Sequence, residues 1–275
     1  GVFFGEPDKT VPDPYFNGEG PDRTGCVFCG ACMIGCPNGA KNTLDKNYLY
    51  LAEKLGAQII PETEVVDVKR LEDGRYLLDC MSSHGLVKKR KSFETANVVF
   101  SGGVMGTVNL LLHCKETGNL PDLSDQLGNF TRTNSEAILG VESMDRSTDW
   151  NDHIAITSGI YPDKNTHIEV VRYNKGSDVM YGLATVLTDG GGKIPRTLRF
   201  LGNILRHPLT FLRGLWLPGQ SARSSVILVM QSTENYITLK KSGKGMASVL
   251  PEHGQRIPTY IPIANLVTRK MAEKM

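Results

Sequence analysis

Apolar residues recur at helical spacing from Leu44 to Leu55, at Leu44, Tyr48, Leu51, Ala52 and Leu55, and Gly56 follows where a helix C-terminus favours glycine. The spacing predicts a helix there. Strand-like runs come next at Gln58–Ile60, Val65–Val68 and Tyr76–Met81, with the Asp-Gly signal of a hairpin turn in Glu72–Asp73–Gly74. The charged stretch Lys88–Lys91 reads as a solvated hairpin face. Val98–Phe100 reads as a strand that runs into Ser101–Gly102–Gly103, and a helical pattern covers Thr107–His113. Strand, glycine turn and helix in that order make the local geometry at which α/β sheets hold cofactors. From about residue 140 the texture shifts towards strands at Ile154–Ile160, His167–Val171, Met180–Thr188 and Val226–Gln231, split by a long basic helical segment near 195–217. This predicts one domain over residues 1–140 and a second, built on a mixed or antiparallel sheet, over 141–275. Residues 1–25, rich in Gly, Pro and Asp, read as an ordered loop.

With 275 residues and 40% hydrophobic content, the chain has enough material for a sizeable core. A formal net charge of +2, without interleaved basic and aromatic residues, argues against a nucleic-acid partner. No apolar run reaches the roughly 20 residues that span a bilayer, so a cytoplasmic protein, soluble or membrane-peripheral, is expected. The opening Gly1–Val2–Phe3–Phe4 has neither the pattern of a signal peptide nor an initiator Met, which reads as a fragment.

Four of the six cysteines crowd into Cys26, Cys29, Cys32 and Cys36, and Pro37 follows, matching the C-x2-C-x2-C-x3-C-P run of bacterial ferredoxins. Three of these thiols would cap three irons. A single cluster would then need Cys36 to fold back, or Cys80 or Cys114 to approach, because no second run is present. The run fits an iron–sulfur or zinc site, and it also fits a loop held by free thiols or disulfides. His153, His167, His207 and His253 show no mutual spacing that suggests a metal or a triad, and each reads as structural.

The stretch Gly25–Ala57, in which Gly-Ala-Lys-Asn-Thr-Leu leads into a helix containing Asn-Tyr-Leu, resembles the cysteine-rich variant of the cholesterol-oxidase-like branch of the glucose–methanol–choline (GMC) oxidoreductases. Ile59–Val68 is similar to the family's strand pair, Val98–Leu112 to its returning strand and glycine turn beside FAD, and Thr117–Asn134 to its passage towards the substrate domain. Thr131 and Arg132 depart from the family pattern, which has a tryptophan and a second glycine after Leu127–Gly128, whereas Asn134 matches it. The resemblance implies an α/β, FAD/NAD(P)-binding domain of GMC type, present in part, and a mixed-sheet substrate-binding domain. It implies that Val65 holds the flavin adenine through backbone groups, with Ser101, Gly102 and Gly103 beside the cofactor. It also implies oxidation of an alcohol CH–OH group, most closely a 3β-hydroxysteroid, with Asn134 at the site and Glu169, seven residues before Gly176, moving the proton that isomerises the steroid double bond. A carboxylate in an apolar pocket suits such proton shuttling; a strand glutamate facing solvent is the plainer reading of the same residue. The family's Gly-x-Gly-x-x-Gly fingerprint and its C-terminal histidine block do not occur in this sequence, so this piece alone is expected to bind no FAD and not to turn over. Two other readings stay open: a GMC alcohol dehydrogenase that passes electrons through an iron–sulfur cluster, and a ferredoxin-like carrier without catalysis of its own.

In 195–219, Arg199, Arg206 and Arg213 are spaced by seven and fall along one helical face, while Leu198, Leu201, Leu205, Leu209, Leu212 and Trp216 supply apolar surface and Pro208 interrupts the segment. Such an element either docks on a bilayer, where a sterol-like substrate resides, or packs its leucines on the substrate domain.

Overall fold

The computed structural model describes residues 1–243, 245–250, 258 and 260–275. In chain order the elements are β1 (Thr10–Val11), β2 (Arg23–Thr24), α1 (Tyr48–Lys54), β3 (Thr63–Arg70), β4 (Tyr76–Ser82), β5 (Arg90–Thr95), α2 (Gly103–Glu116), β6 (Ala137–Glu142), β7 (Ile156–Asp163) and β8 (Thr166–Val171). There follow α3 (Arg196–Arg206), α4 (Pro208–Gly214), α5 (Gln220–Arg223), β9 (Ser224–Gln231), β10 (Thr238–Ser242), β11 (Gly245–Val249) and α6 (Pro262–Ala272). The chain divides into two compact units. One is made of Gly1–Ala57, Asn134–Thr233 and Pro258–Met275, the other of Gln58–Thr133 and Glu234–Ile257. Residues 1–140 and 141–275 each contribute segments to both units. Local texture is blind to the returning segments, α6 in one unit and β10–β11 in the other, which join by packing.

The first unit is organised on a four-stranded antiparallel sheet in the order β6-β9-β8-β7. Strand alternation turns Val141, Ile168, Ile227 and Val229 to one face, where Ala264 completes the buried core and Ile263, Val267 and Met271 of α6 pack against it. Those α6 positions recur at three- and four-residue intervals, as a single apolar stripe requires. Pro262 in the first turn starts α6 where its missing N–H costs nothing.

Met180–Thr188 is not a strand. Asp178–Tyr181 forms a short 3-10 turn, the Tyr181 hydroxyl donates to the Ser224 carbonyl at 3.4 Å, and the Thr188 carbonyl accepts from Arg196 and Asn265 side chains. Backbone turn bonds at Met180, Gly182 and Ala184 and side-chain donors to the Leu187 and Thr188 carbonyls, rather than a ladder, serve this backbone. The predicted basic helix breaks into α3 and α4 at His207, with Pro208 opening the second piece.

In the second unit β3, β4 and β5 form an antiparallel meander, and the predicted turn is made with Gly74 at φ 84°. α2 packs on β3 and β10 and begins earlier than the apolar pattern indicates. Its Cys114 is fully buried, and the thiol donates to Asp67 Oδ1 at 3.4 Å while the Asn119 amide holds Asp67 Oδ2 at 2.6 Å.

Gln58–Ile60 and Val98–Phe100 belong to no strand, since an extended segment becomes one only beside a neighbour that takes its hydrogen bonds. Every ladder between the named strands is antiparallel, so the described residues assemble no parallel α/β sheet. Among them, no helix is long and apolar enough to cross a membrane.

Candidate active site

The alternation that buries Thr166 and Ile168 of β8 sends His167 and Glu169 to the opposite face of the four-stranded sheet. Across the ladders Glu169 stands opposite Leu228 on one side and Gly159 on the other, and His167 stands opposite Met230. Ile138 on β6 and Tyr161 on β7, each 72% exposed, extend the same face. Glu142 at the far end of β6 is taken up by Arg223 at 2.8 Å. The open face is therefore apolar around one carboxylate–imidazole pair, with His167 Nε2 lying 3.8 Å from Glu169 Oε1. Tyr161 stacks on the His167 ring, centroids 4.4 Å apart and planes within 9°.

Asn134 sits at one end of the β6–β9 pair, where its carbonyl accepts the Gln231 N–H at 2.9 Å. Its exposed side chain donates to Glu136 Oε1 at 2.6 Å, so its hydrogen bond is made to Glu136 and not to Glu169. Gly176 adopts a left-handed φ of 85° and donates its N–H to Ser221 Oγ at 3.2 Å, which fixes the turn after β8.

The residues expected at a cofactor lie in the other unit. Val65 is on β3, an edge strand of its sheet, beside a register shift between Val65 and Asp67. A bulge of this kind leaves the extra residue, here Val66, out of the ladder. Ser101, Gly102 and Gly103 are exposed at the N-terminus of α2, Gly103 with φ 75° and nothing within 4 Å of where a side chain would begin. Packing of α2 on β3 brings the helix and this strand together.

Among the described residues no group of three or more His, Cys, Asp or Glu side chains is arranged to hold a metal ion, and all six cysteines are free thiols. Left-handed backbone at Phe28 (φ 56°) and Gly30 (φ 73°) and the 3-10 turn Ala31–Met33 shape the loop that carries Cys26, Cys29 and Cys32. Cys26 is buried and its sulfur accepts the Phe28 N–H at 3.4 Å, whereas the Cys29 sulfur faces the Asn38 amide at 3.8 Å. Burial, reinforced by the neighbouring cysteines, pushes the Cys26 thiol up. At Cys36 burial is outweighed by backbone N–H groups of Lys41, Asn38 and Ala40 and by the charge of Lys46, which lower its pKa. His153 closes the loop from outside it: its N–H donates to the Phe28 carbonyl at 2.8 Å, and its ring lies against Gly30, where a Cβ would come within 2.4 Å.

The α3 helix is turned inside out relative to a core-packed helix. Its polar side faces the protein, with Arg199 on the Gly190 carbonyl at 3.3 Å and Asn203 on the Leu187 carbonyl at 3.3 Å. Arg213 on α4 is likewise held by the Met144 carbonyl at 2.9 Å. Leu198, Leu201, Leu205, Leu209, Leu212 and Trp216 are all exposed. The leucines thus do not pack on the sheet domain, and only Arg206 of the three spaced arginines is an exposed cation.

Proteins described as cholesterol oxidases are similar to this chain from end to end. One from Acinetobacter baumannii is 44% identical over 98% of the chain and 50% of its own length, and one from Mycobacterium tuberculosis strain H37Rv is 45% identical over all of the chain and 50% of its own length. Residues 20–114 match the family model of the GMC oxidoreductases. The chain belongs to this family. It spans half the length of these curated relatives. The part of this GMC oxidoreductase that matches the family model carries the cysteine run, Val65 and Ser101–Gly103, and Glu169 and Asn134 lie beyond it.

Spacing among the histidines passes over His167, because its partner is a glutamate. The signal that finds it is the two-residue step from His167 to Glu169 within a strand, which puts both on one face. His207 is exposed at the start of α4, and His253 lies outside the described residues.

Proposed function

We propose that this chain is part of an FAD-dependent GMC oxidoreductase that oxidises the CH–OH group of a 3β-hydroxysteroid or comparably bulky alcohol, and that Glu169 carries the proton of a subsequent double-bond isomerisation. The observation that carries this reading is the open apolar sheet face with Glu169 at its centre, in a chain 44–45% identical to cholesterol oxidases. Val65 and Ser101–Gly103 fit a flavin nucleotide: the glycine turn is open where side chains would obstruct, the N–H groups of the first turn of α2 favour negative charge, and Val65 lies on an edge strand. FAD bound there supplies the hydride acceptor.

The protein's own part is to hold a flat hydrocarbon and to move a proton. Leu228, Met230 and Ile138 offer the surface, worth about 25 cal/mol for each Å² of apolar area removed from water. The Glu169 carboxylate takes a proton from the carbon between the new carbonyl and the double bond and returns it at the far end of that bond. Nothing is consumed. Asn134, at the edge of the same sheet, is assigned to polar contact with the substrate. In the full-length enzyme Glu169→Gln lowers the ratio of isomerisation to alcohol oxidation by roughly 10²–10⁴-fold, the usual contribution of a positioned acid–base group. An equal loss of both activities removes Glu169 from this role.

The exposed leucines of α3 and α4 favour a further contact, with a bilayer surface. Between Gly190 and Arg223 the chain has no acidic residue, so Lys193 and Arg206 flank the leucines with one sign of charge. Apolar exposure with a basic border is the pattern of an element lying in the headgroup region of an anionic membrane.

A further inference from the structure

We infer that His167 is the positioning residue for Glu169: its imidazole Nε2 holds the carboxylate in the orientation from which it exchanges a proton with substrate. The inference rests on the role proposed for Glu169. Three features of the sheet support it. The two side chains are neighbours on one strand face, with Nε2 3.8 Å from Oε1, and each is about a quarter exposed, so their interaction is partly shielded from water. The imidazole is itself held in place, because Tyr161 of the adjacent strand stacks on it at 4.4 Å in a nearly parallel arrangement. The space for the ring is made by Gly159, directly opposite Glu169 in the β7–β8 register, where a Cβ would come 2.5 Å from Nε2. A strand interior is a poor place for glycine, and close approach by another group is a physical reason to find one there.

A carboxylate alone on an apolar face has several rotamers, and only those aimed at the bound substrate are productive. An imidazole fixed by a stacked ring, within ion-pair reach of the carboxylate at 3.8 Å, selects among them and draws the carboxylate towards Nε2. His167 thus acts through Glu169 and needs no contact with the reacting carbons.

The test compares isomerisation with oxidation in the full-length enzyme for four variants. His167→Phe keeps an aromatic ring for Tyr161 but removes the donor, and is expected to lower the isomerisation-to-oxidation ratio about tenfold, since a small misplacement of a reacting group costs this much or more. His167→Gln restores an N–H donor near the Nε2 position without the ring and is expected to recover most of that loss, which a merely structural role does not predict. Gly159→Ala, whose methyl group displaces the ring, is expected to behave like His167→Phe. Glu169→Gln is the reference. If Glu169→Gln changes the ratio and His167→Phe does not, His167 has no positioning role. The inference is equally overturned if His167→Phe and His167→Gln are equally impaired. If Glu169→Gln itself leaves the ratio unchanged, the role of Glu169 fails, and that of His167 fails with it.

Discussion

Cys36 and Cys114 stand at opposite ends of a reactivity scale that alkylation of the native chain reads directly. Burial opposes ionisation of Cys36, yet three backbone N–H groups and Lys46 more than offset it and lower its pKa. Cys114 is fully buried, and burial pushes its thiol up to about 11. Because the thiolate is the nucleophile, the reactive fraction of a thiol at pKa 11 is about 10⁻⁴ at pH 7, against about 10⁻² for a free cysteine. That hundredfold gap is chemical alone. Access widens it, since reagent reaches Cys114 only when α2 lifts from β3. A short iodoacetamide pulse followed by peptide mass mapping should therefore label Cys36 first, Cys29 and Cys32 next, and the buried Cys26, Cys80 and Cys114 only in denaturant. Labelling of Cys114 as fast as that of Cys36 refutes the packing argument. Protection of all four cysteines from Cys26 to Cys36 until a chelator is added would show that a bound metal, and not burial and local charge, governs this run.

Ile227 is 0% exposed in the sheet core, so Ile227→Ala should cost about 2–5 kcal/mol by urea unfolding; a loss under about 1 kcal/mol would mean this face is not the core. For Asp178, burial raises the pKa, but the N–H groups of Ser221 and Gly219, the Ser221 hydroxyl and the charge of Arg223 outweigh it and set the folded pKa below the ordinary 3.8. A depressed carboxylate contributes stability that is complete above the unfolded value and lost as pH falls through the folded one, so thermal midpoints should fall more steeply on acidification in the wild type than in Asp178→Asn. The full-length protein should co-sediment with anionic vesicles, less so in high salt, and Leu205→Glu with Leu209→Glu, both 81% exposed, should abolish this; wild-type protein remaining in the supernatant at low salt would show that α3 and α4 do not dock on lipid.

Local chemistry alone was enough to reveal much of this protein. Helical spacing announced α1, strand-like runs announced β4, β8 and β9, Asp73–Gly74 announced the turn between β3 and β4, and Pro208 announced the break between α3 and α4. Each depends on interactions within a few residues, which sequence records directly. The motif from Gly25 to Ala57 pointed to the family for the same reason. What spacing alone could not supply was partnership at a distance. The thiols of Cys26–Cys36 have ferredoxin spacing, but whether such thiols converge is decided by the loop backbone, left-handed here at Phe28 and Gly30, and among the described residues no ligand group of three is arranged. The leucines of α3 have the spacing of a core stripe, but Arg199 and Asn203 find carbonyls in 187–190 and turn the stripe outward. Met180–Thr188 has the composition of a strand, but a strand exists only where a neighbour takes its hydrogen bonds, and here local turns and a few side chains take them. His167 and Glu169 share a face by simple alternation, yet the stacked Tyr161 and the space left by Gly159 come from a neighbouring strand, and only the register of β7 on β8 brings them there.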